Sequence, residues 1–191
     1  SYTIDLVVSD GELDGSDSLT LTVEAIGPRL RGGWRYLVAD SWQRVDLPAG
    51  YSQPVVVATV VSEADREPVV ARVRNVDASG FDLRVQQPGD APVSGSYTVS
   101  LVVAEAGLYT VAEHGIALEA GLTTPSAVDH DGDWSAEPLV LSGSFTAPVV
   151  LAQVQTANDA AWSVAWTSGG SRTDPTSAGD VHLGHHVAED P

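Results

Sequence analysis

The stretch VVARVRNVDASGFDLRVQQ, residues 69–87, decides the fold class. Its two halves alternate apolar and polar residues with a period of two, which is the pattern of strands with one buried face. The segment NVDASG between them has the composition of a turn. We therefore predict a β-hairpin that buries one face. The other face should carry a row of exposed polar side chains: Arg72, Arg74, Asp82, Arg84 and Gln86.

Strand patterns recur on both sides of this hairpin. PVVVATVV (54–61) is a continuous apolar run, as expected of a strand buried on both faces, and SYTVSLVVAEAG (96–107) alternates again. Near the start, YTIDLVV (2–8) and LTLTVEA (19–25) flank the turn-rich SDGELDGSD (9–17), which predicts an N-terminal β-hairpin. No segment has a helical period with caps. We predict an all-β chain built of antiparallel β-sandwich modules.

The chain contains an internal repeat. VDLPAGYSQPVVVATVVS (45–62) matches LVLSGSFTAPVVLAQVQT (139–156), and a Trp precedes each copy, at Trp42 and Trp134. The matched positions lie 94 residues apart: Leu47 with Leu141, Tyr51 with Phe145, Pro54 with Pro148, and Ala58 with Ala152. The second copy lacks a segment like 96–107, so we predict one complete and one truncated sandwich.

These patterns divide the chain into five parts. The predicted parts are a terminal hairpin of a larger domain (1–26), a linker (27–38), a first sandwich repeat (39–107), a connector (108–130) and a second, truncated repeat (131–191). Because Ser1 is not a natural start and no Met occurs, we expect a processed product or a fragment of a longer protein.

The composition limits the partners. The formal net charge is −17 and all nine basic residues are Arg, so we expect no nucleic-acid partner. No apolar run approaches the roughly 20 residues of a membrane-spanning helix, so we expect no membrane insertion. The chain has no Cys, which excludes disulfides, thiolate catalysis and Cys-based metal sites.

Residues 39–107 resemble bacterial modules related to the H-type lectin domain. The resemblance is carried by a Trp followed by VDL, PVVVA, VVARVRNV, GFDLRVQQ and YTVSLVVAEAG, and it returns in part over 131–191. It implies a small antiparallel β-sandwich, a homo-oligomer that is often a trimer, and recognition of galactose-type sugars. A carbohydrate partner is thus expected from resemblance.

Residues 2–25 resemble the last two strands of a cadherin-like or immunoglobulin-like bacterial adhesion domain. The pattern Tyr-x-Ile-x-Leu, then Ser-Asp-Gly, then Leu-x-Leu-x-Val carries this likeness. It implies a piece of a larger multi-domain protein that is extracellular or exposed on the cell surface.

Two acidic loops are candidate calcium sites. In VDHDGDWSAE (128–137), three Asp residues alternate and a Glu follows, which suits a hard cation; these candidate ligands are Asp129, Asp131, Asp133 and Glu137. The Gly of this loop does not lie where the helix–loop–helix calcium motif has it, and the repeat makes the loop the lead-in to the second copy. A polar connector is therefore the alternative.

The second acidic loop is SDGELDGSD, which offers Asp10 and Asp14 as ligands. Adhesion domains of the cadherin type bind calcium between domains, so the resemblance implies calcium here. The alternative is a hairpin turn, because Asp-Gly is typical of tight turns. We name calcium as the one cofactor to test and assign none from the sequence.

The polar face of the 69–87 hairpin is the candidate ligand site. Its Arg, Asp and Gln side chains suit sugar hydroxyl groups, and Trp42 can supply a ring for stacking. The alternative is Arg–Asp pairing on a solvated sheet. The recurrence of Trp42 and Trp134 at one repeat position indicates core packing for both.

The sequence contains no nucleophile elbow, phosphate loop or dinucleotide fingerprint, so we expect no catalysis. We predict a non-catalytic, extracellular carbohydrate-binding or adhesion module of a larger bacterial surface protein. Two alternatives remain open: a structural spacer stiffened by calcium, and an accessory module of a polysaccharide-degrading enzyme.

Overall fold

The computed structural model describes residues 2–9, 14–21, 30–61, 65–126 and 134–187. Within them the regular secondary structure is almost entirely antiparallel β-strand, which confirms the predicted fold class. The first eight strands are β1 Tyr2–Ser9, β2 Asp14–Leu21, β3 Leu30–Val38, β4 Gln43–Asp46, β5 Pro54–Val60, β6 Val70–Asp77, β7 Gly80–Gln86 and β8 Tyr97–Glu105. The rest are β9 Gly107–Tyr109, β10 Leu118–Ala120, β11 Ala136–Pro138, β12 Ser163–Ser168 and β13 His182–Val187. A single helical turn, α1, spans Val111–His114, and a 3-10 turn spans Pro88–Asp90.

Two three-stranded sheets form the first sandwich. One has the order β3–β8–β5 and the other β4–β7–β6, and all pairs are antiparallel. Their inner faces share one core, in which Phe81, Leu83 and Val85 of β7 meet Leu101 and Val103 of β8. All five side chains are fully buried, as the alternation in residues 80–87 and 96–107 predicts. Burial of a side chain of this size is worth about 1.5–3 kcal/mol, so this core stabilises the first repeat.

The apolar run of β5 is buried mainly on one face. Val56 and Ala58 point into the core, whereas Val55 and Val57 are half-buried and Thr59 is exposed. Val55 packs against a small second cluster that includes Tyr109. The prediction that this strand is buried on both faces is therefore correct only in part, because the cover on the outer face is small.

The turn between β6 and β7 is closed by Asp77. Its carboxylate accepts hydrogen bonds from the Ser79 hydroxyl, the Ser79 amide and the Gly80 amide. The hydrogen bonds from Ser79 and from Arg44 hold the pKa of Asp77 well below its usual range. Gly80 is needed because a Cβ there would lie 2.4 Å from the Val45 carbonyl oxygen.

The linker predicted for residues 27–38 is wrong in its second part, since residues 30–38 form β3 and pair with β8. Gly32 and Gly33 suggest a flexible segment, but the register shifts between Arg31 and Trp34, so the glycines lie in a β-bulge. Gly33 has a φ of 72°, a left-handed conformation that favours glycine. Beyond the bulge the strand runs in regular register to Val38.

The N-terminal hairpin is present as β1 and β2, in continuous register from Tyr2 with Leu21 to Ser9 with Asp14. Its second strand begins at Asp14, within the segment predicted as turn. The predicted connector (108–130) also has structure of its own, because β9 and β10 pair with each other. The Thr110 hydroxyl caps α1 by accepting from the Glu113 amide.

The second repeat reproduces one sheet of the first. Its strand order β11–β13–β12 corresponds to β4–β7–β6, with the same antiparallel pairings. The segment that matches β5, residues 148–154, forms no strand. In the first repeat β5 pairs with β8, and among residues 134–187 no strand takes the position of β8.

Candidate functional site

Two members of the predicted polar face are buried. Arg72 is 1% exposed and Gln86 is 3% exposed. The Arg72 Nη1 atom donates to the Gln86 Oε1 atom at 2.6 Å, which joins β6 to β7 on the outer side of their sheet. Both residues do lie on the face opposite the core, as predicted, but their predicted exposure is wrong.

A loop of the second repeat covers these side chains. Arg72 donates from Nη1 to the Ala161 carbonyl at 2.6 Å and from Nη2 to the Asp159 carbonyl at 2.9 Å. Gln86 donates from Nε2 to the Ala160 carbonyl at 2.8 Å. Three consecutive carbonyl groups are thus held by two side chains. The loop is shaped for this, since the Asp159 carboxylate accepts from the Ala161 amide.

A second contact covers the side of the first sandwich where the edge strands β5 and β6 lie. The Gln155 Oε1 atom accepts from the Val56 amide at 2.7 Å, and the Gln153 Oε1 atom accepts from the Ala58 amide at 3.4 Å. The Gln153 Nε2 atom donates to the Ala71 carbonyl of β6 at 3.3 Å. One side chain therefore links edge strands of both sheets, and unpaired strand edges are the groups that otherwise invite aggregation.

We call Arg72, Gln86, Gln153 and Gln155 the inter-repeat clasp. A hydrogen bond that involves a charged group is worth about 1.5–3 kcal/mol, and loss of one partner leaves buried polar groups unsatisfied. The clasp is therefore energetically significant for the contact between the two repeats. Arg72 and Gln86 cannot hydrogen-bond a sugar through the atoms that the clasp uses.

The remaining candidate ligand residues form a polar cluster around Trp42. The Arg74 and Arg84 guanidinium carbons lie 4.0 Å and 4.9 Å from the Trp42 ring centre. Asp82 pairs with Arg74 at 3.3 Å and accepts from the side-chain Nδ2 atom of Asn75 at 2.8 Å. The structure thus brings Trp42, Arg74, Asp82 and Arg84 together, and it contains the Arg–Asp pairing of the alternative interpretation.

Trp134 has a matching environment in the second repeat. The Arg172 guanidinium carbon lies 3.8 Å from its ring centre, and the His186 ring stacks on it with an interplanar angle of 8°. Trp134 is 45% exposed and Trp42 is half-buried, and neither belongs to the hydrophobic core. The core packing predicted for these two residues is wrong: both lie on an outer face beside an Arg.

A shallow cleft lies beside the Trp42 cluster. Its volume is about 160 Å³, and Asp40, Arg84, Gln87 and Val93 are among the residues that line it. The cleft is small compared with the several hundred Å³ of typical ligand pockets. It can hold a small polar group next to the Trp42 cluster.

The structure describes only some of the candidate calcium ligands. Asp10, Asp129, Asp131 and Asp133 lie outside the described residues, and Asp14 is described only as part of β2. The carboxylate of Glu137 accepts hydrogen bonds from the amide and the hydroxyl of Ser126. Within the described ranges, no group of three His, Asp or Glu side chains could hold a metal ion.

Glu119 joins the connector to the second repeat through two further hydrogen bonds. Its Oε1 and Oε2 atoms accept from the Ser142 amide at 3.0 Å and the Gly143 amide at 2.8 Å. Burial opposes ionisation of Glu119, but these hydrogen bonds outweigh it and lower its pKa below the ordinary 4.5. Its ionised form therefore stabilises the fold, fully above pH 4.5 and less as the pH falls through the folded pKa.

Glu119→Gln is expected to lower the free energy of unfolding at pH 7 by about 1–3 kcal/mol, because the charged acceptor of two amides is lost. The difference from wild type should shrink as the pH falls below 4.5. Urea unfolding at pH 7 and at lower pH measures both, with Asp65→Asn as an exposed control. A difference that stays constant with pH contradicts the assignment.

Gln153 and Gln155 were not singled out from the sequence, although a signal exists. In the aligned copies, VVVATVV of the first repeat becomes VVLAQVQ of the second. Two Gln residues at alternate positions in an otherwise apolar segment place both side-chain amides on one side of the segment, where they need hydrogen-bond partners. Their partners lie about one repeat length away in the chain, so the segment alone does not identify them.

No helix among the described residues is long and apolar enough to span a lipid bilayer. No protein-family model matches the chain, and no curated protein or solved structure is significantly similar to it.

Proposed function

We propose that this chain is a non-catalytic structural module of an extracellular surface protein, in which consecutive β-sandwich repeats are clasped to each other. The observation that carries the proposal is the use of Arg72 and Gln86 to hold residues 159–161. A spacer or adhesion scaffold needs adjacent repeats with a fixed contact. The clasp supplies such a contact through buried, oriented hydrogen bonds.

The surface charge is consistent with this role. A net charge of −17 favours solubility and discourages non-specific association. The clasp also covers outward amides of β5, at Val56 and Ala58. The next outward position in the same register is Pro54, which has no amide hydrogen to leave unpaired. At these three positions of β5 the strand edge presents no unpaired amide hydrogen.

The test is mechanical unfolding of the whole chain held at its two ends. Wild type is expected to unfold residues 30–187 in one coupled step, since the repeats share buried hydrogen bonds. The double variant Arg72→Ala/Gln86→Ala, which removes the two side chains that hold residues 159–161, should give two separate steps. Arg35→Ala/Gln43→Ala, which replaces an Arg and a Gln outside the clasp, is the matched control and should behave as wild type. Two separate steps in wild type would contradict the proposed coupling.

Carbohydrate binding is a second candidate function. It is favoured by the Trp42 cluster, where an aromatic ring, two Arg side chains and Asp82 adjoin the small cleft. An aromatic ring beside planar hydrogen-bond donors suits the apolar face and the hydroxyl groups of a sugar. The resemblance to H-type lectin modules also favours carbohydrate binding.

A glycan array of the whole chain, with calcium and with chelator, tests this second function. Selective, saturable binding is expected to weaken at least about tenfold in Trp42→Ala, which removes the ring. Trp134→Ala, in the corresponding position of the second repeat, is the matched control and should retain that binding. Loss of binding in chelator would implicate calcium, and absence of binding by folded protein in both conditions would reject this function.

A further inference from the structure

A half-buried arginine lines the cleft beside the Trp42 cluster. The Arg side chains that are buried or half-buried in the described ranges are Arg66, Arg72, Arg74 and Arg84. The first three donate to backbone carbonyl groups or to a carboxylate. No hydrogen bond or ion pair between described residues involves the Arg84 side chain, and its Nε atom is buried. A guanidinium group partly withdrawn from water is stabilised by an acceptor, which the described residues do not supply here.

An acidic side chain lines the same cleft. Asp40 follows the end of β3 and lies next to β7, because the Val85 amide donates to the Ala39 carbonyl at 3.0 Å. In the part of the chain that the structure describes, the Asp40 carboxylate accepts no hydrogen bond and forms no ion pair, so it does not neutralise Arg84. The cleft therefore presents one cationic and one anionic group that are not paired with each other.

Part of the cleft wall is apolar. After the 3-10 turn at Pro88–Asp90, the residues Ala91, Pro92 and Val93 line the cleft. Val93 packs against the core of the first repeat, which fixes the position of this wall. The volume of about 160 Å³ suits a small molecule rather than an oligosaccharide or a peptide. The cleft thus combines two opposite charges with a short aliphatic surface.

We propose that this cleft binds a free α-amino acid with a small aliphatic side chain. Its carboxylate pairs with Arg84, its ammonium group pairs with Asp40, and its side chain lies against residues 91–93. Guanidinium groups form planar, directional pairs with carboxylates. A zwitterion satisfies both charged groups, whereas a simple anion leaves Asp40 unpaired and is repelled by the net charge of −17. The inference goes beyond the clasp and beyond sugar binding, since it requires neither.

The test is titration calorimetry of the whole chain with L-alanine and L-valine, together with amide chemical shifts in the NMR spectrum. Saturable one-to-one binding is expected, with shift changes centred on residues 84–87 and 91–93. Lactate, which has a hydroxyl group in place of the ammonium group, and 2-aminopropane, which lacks the carboxylate, should each bind at least about tenfold more weakly than alanine. Absence of saturable binding, or lactate binding as tight as that of alanine, overturns the proposal.

Variants test the two charged partners separately. Arg84→Gln and Asp40→Asn should each weaken amino-acid binding at least about tenfold, because each removes one of the two charge pairs. Arg35→Gln and Asp65→Asn, which make the same changes at exposed positions outside the cleft, are the matched controls and should bind as wild type. Unchanged binding by either cleft variant contradicts the assigned roles.

Urea unfolding of the ligand-free variants tests the alternative that Arg84 and Asp40 pair with each other in solution. We expect the effects of Arg84→Gln and Asp40→Asn on the free energy of unfolding to be additive in the double variant, as they are for groups that do not interact. Non-additive losses would show a direct ion pair between the two side chains and would overturn the proposal.

Discussion

Arg72→Ala is expected to destabilise the protein by about 3–5 kcal/mol, the cost of removing one partner from a buried charged network. The substitution deletes the donor for the Asp159 and Ala161 carbonyls and leaves Gln86 without its partner at 2.6 Å. Urea unfolding should show the loss directly. Hydrogen exchange should show the largest increase in residues 159–161 and the facing part of β6.

Arg35→Ala is the matched control, since Arg35 lies on β3 and is exposed. It should change the free energy of unfolding by less than about 0.5 kcal/mol, as surface substitutions usually do. If Arg72→Ala were equally mild, Arg72 would not hold the second repeat, and the clasp would lose its main member.

Leu101→Ala is expected to cost about 2–5 kcal/mol, the range for truncation of a buried Leu. Leu101 is fully buried in β8, where it faces Trp34 of β3 and Ala58 of β5 across the sheet. The cavity would lie where the two sheets meet. The measurement is urea or thermal unfolding followed by circular dichroism.

Leu37→Ala provides a control of the same chemistry in the same sheet, because Leu37 is 68% exposed. It should shift stability by less than about 0.5 kcal/mol. Similar losses in both variants would mean that the inner face of β8 is not the core.

The alternation of residues predicts the first sandwich well. Phe81, Leu83 and Val85 alternate with polar residues in the sequence and are buried on one face in the structure. Such local patterns report on which side of a strand a residue lies. They do not report on what covers the other side, which is why Thr59 and Val57 of one apolar run have different exposures.

The candidate site shows this limit most clearly. Arg72 and Arg74 occupy equivalent positions in the pattern of β6, yet Arg72 is buried and Arg74 lies at the surface over Trp42. The difference comes from Asp159 and Ala161, which are 87 and 89 residues further along the chain. A period-two pattern contains no information on a contact of that length.

The prediction of a linker at residues 27–38 fails for a different physical reason. Gly32 and Gly33 suggest flexibility, but a β-bulge also requires a residue that tolerates a left-handed conformation. The alternation of Trp34, Tyr36 and Val38 after the bulge was the local signal for a strand. The turn composition of residues 27–33 instead favours a linker.

The central claim is that the second repeat is clasped to the edge of the first. The most direct test of this claim is hydrogen exchange at the amides of Val56 and Ala58. Both amides point away from the neighbouring strand and donate to Gln155 and Gln153. We predict slow exchange at both in wild type, and an increase of at least about tenfold at Val56 in Gln155→Ala, with the Leu101 amide unchanged. Exchange in wild type as fast as at an uncovered strand edge would contradict the account.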